Sequence, residues 1–133
     1  MLIELTDEYL IGNADIDEQH LKLCKIINSL HEDIERSASI DVLMGTLQFL
    51  TDYTSQHFEF EEKLMLECEY PGLEEHAKQH RELVDELSKY NEKFFHHVNV
   101  NREAKFAKEF LEFLKYWLLE HIMKSDFKIK PYL

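Results

Sequence analysis

Glycine and proline are scarce, with three and two among 133 residues, so little in the chain interrupts a helix. Only two cysteines occur, Cys24 and Cys68, far apart and without CxxC spacing. That excludes a disulfide framework and a cysteine zinc site, and both are read as free thiols. Basic residues are outnumbered, 15 Lys and Arg against 27 Asp and Glu, for a formal charge of −12. Binding to a phosphate backbone or an anionic lipid surface needs clustered Lys and Arg, so neither nucleic acid nor membrane is an expected partner. No apolar run approaches the ~20 residues of a membrane span, and the first residues lack the basic start and apolar stretch of a signal peptide. The sequence is read as cytosolic.

Apolar residues recur at helical spacing through four stretches joined by short breaks, and no repeat, low-complexity tract or linker separates them. The expected fold is all-α, an up-down-up-down four-helix bundle with an N-terminal arm, in one domain spanning residues 1–133 and monomeric. Residues 1–14 form the arm. Asp15 or Asp17 is expected to cap a first helix whose stripe is Ile16, His20, Leu23, Ile27, Leu30 and Ile34. Ser39 caps a second helix, with the line Leu43, Leu47, Leu50, Thr54, His57, Glu61, Leu64. Pro71 suits the first turn of a third helix, which carries Leu73, His76, His80, Leu83, Leu87, Tyr90 and Phe94 inward. Asn99 or Asn101 starts a fourth, with Ala107, Leu111, Leu114, Leu118 and His121 in line and Phe106, Phe110, Phe113 and Trp117 beside them. Residues 127–133 read as a short tail broken by Pro131.

Several positions on these stripes are not apolar. His57 and Glu61 stand at i, i+4 in HFEFE (57–61), and His76 and His80 do so in HAKQH (76–80). Residues four apart share one helix face, so each pair is aimed one way. A buried Glu61 must be paired, protonated or bound to metal; Glu59 and Glu62 are expected in solvent. A lone histidine such as His20 is more often a core or edge residue, but placement decides otherwise here. His20 falls near the start of the first helix, His57 and Glu61 near the end of the second, His76 and His80 near the start of the third, and His121 near the end of the fourth. Alternating helix directions bring all four locations to one end of the bundle. His31, His96 and His97 have no such partners and are read as solvated.

Asp126 needs a separate argument. Five residues on a regular helix rotate about 500°, which leaves it about 140° away from His121, whereas Ser125 is in line. A one-residue widening of the π type would bring the carboxylate back, and that bulge is the expectation.

Five imidazoles and two carboxylates overfill a four-coordinate zinc site and are wrong for calcium or magnesium. Imidazole with carboxylate suits iron, and two ions bridged by Glu61 and Asp126 use every group, with non-protein ligands completing the coordination. No Glu has a His three residues on, and HExxH is absent, which removes the ferritin-like and metalloprotease readings.

With these residues the sequence resembles the hemerythrin family, in particular its single-domain bacterial members. The likeness rests on NADIDEQH (13–20), HFEFE (57–61), HAKQH (76–80) and WLLEHIMKSD (117–126), covering essentially the whole chain in order. It implies a non-haem di-iron centre with His76, His80 and His121 on one iron, His20 and His57 on the other, and Glu61, Asp126 and an oxo or hydroxo group bridging. It also implies reversible dioxygen binding at the two-histidine iron. Leu5 departs from the family, whose arm often carries Trp there, and this bears on arm packing.

Leu23 and Phe58 neighbour His20 and His57 in sequence, and Leu118 and Ile122 flank His121. Together they are expected to line an apolar oxygen pocket without a spare acid or base. The leading expectation is therefore an oxygen-binding protein for storage, delivery or buffering, not an enzyme. An oxygen, redox or iron sensor is one alternative; a di-iron oxidase or peroxidase is another, with Tyr53 one turn before His57 as a conceivable electron relay, although a half-buried tyrosine is commonly structural. Any protein partner is unidentified by sequence.

Overall fold

A computed structural model describes residues 3–96 and 103–133. Four long helices make up most of it: α1 (Ala14–Glu35), α2 (Ile40–Glu67), α3 (Leu73–His96) and α4 (Glu103–Glu120). A short 3-10 turn, Asp7–Tyr9, lies in the arm. After α4 the chain widens into a π-helical turn, His121–Ser125, and tightens into a 3-10 helix, Asp126–Tyr132. α1 packs on α2 and α4, and α3 on the same two helices, the cyclic order of an up-down-up-down bundle. No helix among the described residues is long and apolar enough to cross a membrane.

The stripes read from the sequence form the core. Ile16, Leu23, Ile27, Leu30 and Ile34 of α1, Leu43, Leu47 and Leu50 of α2, Leu83 and Leu87 of α3, and Leu111, Leu114 and Leu118 of α4 are all buried, with Phe110 filling the centre. Near the end of α2, Met65 is fully buried while Leu64 is only partly so. The buried position is thus one residue further along α2 than the stripe predicts.

The ends of the helices depart from expectation in instructive ways. Asn13, not Asp15 or Asp17, caps α1, accepting from Ile16 N at 3.0 Å. Asp17 turns back instead, and its two carboxylate oxygens accept from Ile11 N and Gly12 N. Gly12 supplies the positive φ of +96° that this reversal needs. Ser39 caps α2 as expected. α1 and α2 close alike: Ser37 and Glu69 take φ of +55°, and the residues after them bond back to Asp33 O and Met65 O. These are Schellman turns with a non-glycine residue in the left-handed position.

Pro71 sits in the turn before α3, which begins two residues later at Leu73. Residues 127–133 are no loose tail, because Ile129 is fully buried and the 3-10 helix runs through Pro131. The expected start of the fourth helix at Asn99 or Asn101 lies outside the described residues, as do the side chains of His96 and His97. His31 is not solvated: it is partly buried, with Nδ1 3.2 Å from Lys115 Nζ.

The arm is packed on the bundle. Asn28 clamps Ile3 through two 2.8 Å bonds, accepting from its N–H and donating to its carbonyl, and the buried Cys24 thiol donates to the same oxygen at 3.2 Å. Leu5 also packs against the core, so a leucine suffices at that position. Both cysteines are free, and burial pushes the Cys24 thiol pKa up.

Candidate metal centre

The four helices deliver polar side chains to one end of the core, as the stripe positions require. His20, His57, Glu61, His76, His80, His121 and Asp126 are each no more than 6% exposed. Their nitrogen and oxygen atoms form two groups, one of Glu61, His76, His80, His121 and Asp126, the other of His20, His57, Glu61 and Asp126, each with all ligand atoms within 4.8 Å of one another. The seven residues singled out in the sequence are thus brought together.

The two carboxylates divide their oxygens between the groups. Glu61 Oε1 lies 2.6 Å from His76 Nε2 and 3.3 Å from His80 Nε2, while Oε2 lies 3.1 Å from His57 Nε2 and 3.6 Å from His20 Nε2. Asp126 repeats the pattern, with Oδ1 2.9 Å from His76 and 3.0 Å from His121, and Oδ2 2.9 Å from His20. A carboxylate that presents one oxygen to each of two donor groups has the form of a bridge.

The π-turn makes the Asp126 half of this possible. By winding less per residue than a regular helix, it removes the excess rotation between His121 and Asp126, and it leaves the carboxylate fully buried. Ser125, in line with His121 on a regular helix, points elsewhere and donates its hydroxyl to Gln79 Oε1 at 2.6 Å, tying the wide turn to α3.

The electrostatics is that of opposite charges crowded in a dry space. Burial opposes charge on His20 and His76, but the Asp126 and Glu61 carboxylates prevail and raise both pKa values to about 9. His121 is raised on the same balance of burial against Asp126 and Glu61. For His80 burial wins, and its pKa is lowered. Burial pushes against ionising Glu61 and Asp126 too, yet the surrounding imidazoles hold both well below the usual carboxylate range.

Hydrogen bonds do not satisfy these atoms. Among the described residues, His20 Nε2, Glu61 Oε2 and both Asp126 oxygens are buried without a hydrogen-bond partner, although His20 Nε2 and Asp126 Oδ2 lie 2.9 Å apart. Buried polar atoms normally find a partner, and orphaned carboxylate oxygens facing imidazole nitrogens are the donor set of a cation. Five imidazoles and two carboxylates arranged as two overlapping groups fit two transition-metal ions of the kind that accept mixed nitrogen and oxygen ligands.

Beside the His20 and His57 group lies a cavity of about 20 Å³, room for about one water-sized molecule. Leu23, Phe58 and Leu118 line it as expected, together with Ile27, Leu50, Leu83, Leu114, Trp117 and Thr54. Ile122 does not: one residue on from His121 in the π-turn, it lies outside the cavity wall and is buried in the core instead. Two rings brace the histidines. Phe58 stacks on His80 with centroids 3.7 Å apart, and the single tryptophan, Trp117, stacks on His121 at 4.4 Å. Tyr53 is partly buried between Phe49 and the Lys22 ammonium, which sits 4.7 Å over its ring.

Sequence reading missed the partners behind the histidines. Gln19 Oε1 is 2.6 Å from His57 Nδ1, and Glu62 Oε2 is 3.3 Å from His80 Nδ1; Glu62 is therefore partly buried rather than free in solvent. Each adjoins a stripe residue, but only the docking of α1 on α2 and of α2 on α3 shows what it faces.

Comparison with known proteins agrees with this geometry. The family model of the hemerythrin HHE cation-binding domain matches residues 12–133. A bacteriohemerythrin of Pseudomonas aeruginosa is 32% identical over 120 residues, covering 90% of this chain and 74% of that protein. One from Clostridium acetobutylicum is 28% identical, with 90% and 92% covered. A hemerythrin-like protein of Naegleria gruberi is 30% identical, with 92% and 86% covered. The chain therefore belongs to the hemerythrin family.

Proposed function

We propose that the protein holds two iron ions and binds dioxygen reversibly, as a store, carrier or buffer rather than as an enzyme. The observation that carries this reading is the division of the Glu61 and Asp126 oxygens between a three-histidine group and a two-histidine group. In it His76, His80 and His121 hold one ion, His20 and His57 the other, and the two carboxylates span them. A ferrous pair, when bound, supplies the electrons and the open position that reversible dioxygen binding requires.

The residues around the site favour binding over turnover. The cavity reaches His20, His57, His121 and Asp126 but not His76 or His80, so a small molecule in it meets the side with fewer imidazoles. Its wall is almost wholly aliphatic and aromatic, and Thr54 brings a hydroxyl but no acid or base beyond the centre's own groups. Such a wall excludes water and withholds the protons that would commit oxygen to further chemistry.

The test is anaerobic reduction of the iron-loaded protein, exposure to air and removal of oxygen, following visible absorption and iron per chain. A band that appears with oxygen and vanishes on its removal, at two irons per chain, is expected. Irreversible oxidation without such a band would overturn the carrier reading in favour of redox sensing or oxidase work.

A further inference from the structure

The two donor groups differ in their number of imidazoles, and they differ again in what stands behind those imidazoles. His57 uses its outer nitrogen to meet the neutral amide of Gln19, Nδ1 to Oε1 at 2.6 Å. His80 uses its own to meet the carboxylate of Glu62, Nδ1 to Oε2 at 3.3 Å. An oxygen acceptor at Nδ1 requires the proton there and leaves the Nε2 lone pair for the interior, so both contacts fix the same tautomer. They differ in charge. A carboxylate behind an imidazole draws its N–H proton and raises its donor strength, whereas an amide does so more weakly.

The remaining geometry places that difference where it counts. His80 is 2% exposed and stacked flat on the Phe58 ring, with His76 edge-on to it and His121 tilted against it, so it cannot swing away from Glu62 without breaking that packing. His57 is 3% exposed and shares an edge with His20. Glu62 and Glu61 are consecutive on α2, so one helix turn presents one carboxylate to both groups and the next to a single imidazole from behind.

We infer that Glu62 and Gln19 are positioning residues that tune the two unequal halves of the centre further apart, Glu62 through His80 and Gln19 through His57. The ion held with His80 then favours the higher oxidation state, and in half-reduced protein the reducing equivalent rests with the ion held by His20 and His57, on the side where the cavity opens. This rests on the two-ion reading above.

The experiment is a potentiometric titration of the iron-loaded protein, following the mixed-valent signal by electron paramagnetic resonance with iron per chain measured alongside. Glu62→Gln keeps the length and an oxygen acceptor but removes the charge; Gln19→Glu adds one. Wild type is expected to show two one-electron steps. Glu62→Gln should raise the lower potential and Gln19→Glu should lower the higher one, each narrowing the gap by at least about 59 mV, the one-electron equivalent of tenfold. A merely structural role would change iron content or melting temperature and leave the gap alone. Two irons per chain in every variant with an unchanged gap, or a single two-electron step in wild type, would overturn the inference while leaving the two-ion reading in place. Wild type that fails to hold two irons would overturn both.

Discussion

His20, in the second turn of α1, and Asp126, at the end of the π-turn after α4, bring Nε2 and Oδ2 to 2.9 Å with both side chains buried. The contact closes the centre between the start and the end of the chain. It exists because the wide turn carries Asp126 inward while Ser125 is tied to Gln79. Exchanging the two residues, Ser125→Asp with Asp126→Ser, should therefore not restore the site. Iron per chain is expected to fall to half or less, measured beside circular dichroism to confirm the fold. Full iron content in the exchanged protein would show that the turn does not set the carboxylate's direction.

Proton linkage gives the metal-free protein an unusual pH profile. His20 and His76, raised to about 9, contribute stability that is complete below about pH 6.5 and is lost as pH rises through about 9. Glu61 and Asp126 are depressed, so their contribution is present above about pH 4 and is lost as pH falls further. His80, lowered by burial, trims stability below about pH 6.5. Metal ligation needs neutral imidazoles, so the ions displace these protons and bind more tightly as pH rises. Melting curves at several pH values should show the metal-free protein weakening between about pH 6.5 and 9 while its gap to the loaded protein widens. Parallel curves would refute the linkage.

The helix ends offer a stability test away from the site. Ser37 and Glu69 both hold φ of +55°, a region that costs a residue with a Cβ about 1–2 kcal/mol. Ser37→Gly and Glu69→Gly should each stabilise by about 0.5–1 kcal/mol after glycine's own entropy is set against that strain. Gly12→Ala, at φ of +96°, should do the opposite. Thermal melts of the metal-free protein would read all three.

Cavity walls separate packing from ligand binding. Leu114 is 4% exposed and lines the space beside the histidines, so Leu114→Ala should cost about 2–5 kcal/mol and speed oxygen release from the loaded protein. Leu23→Phe should fill the 20 Å³ cavity and weaken oxygen binding with iron content unchanged. Unaltered oxygen affinity in Leu23→Phe would place the oxygen site elsewhere.

Much of the site was legible because a polar residue on an apolar helical stripe stands out in one dimension. Glu61 and His57 interrupt a leucine line, His76 and His80 another, and helix direction alone predicts that these interruptions meet. Even the π-turn could be anticipated, since Asp126 is out of phase with His121 on a regular helix. Gln19 and Glu62 were not legible in this way. Each flanks a stripe, where a polar residue is unremarkable, and only a neighbouring helix reveals that it backs a histidine. The same holds for Ile122, which is as apolar and as close to His121 as the true cavity residues but faces another way. Asn13 does not stand out in sequence as the α1 cap, because Asp15 and Asp17 compete with it; the fold gives it the role by bonding the Asp17 carboxylate to Ile11 and Gly12.

The sequence by itself determined the bundle and the seven groups at its end, because helical periodicity and chain direction are local properties that three short connections cannot scramble. Only the tertiary structure decided which oxygen of Glu61 and Asp126 faces which histidines, which rings brace them and which charge stands behind each, because those are distances between helices, set by how the side chains between them pack.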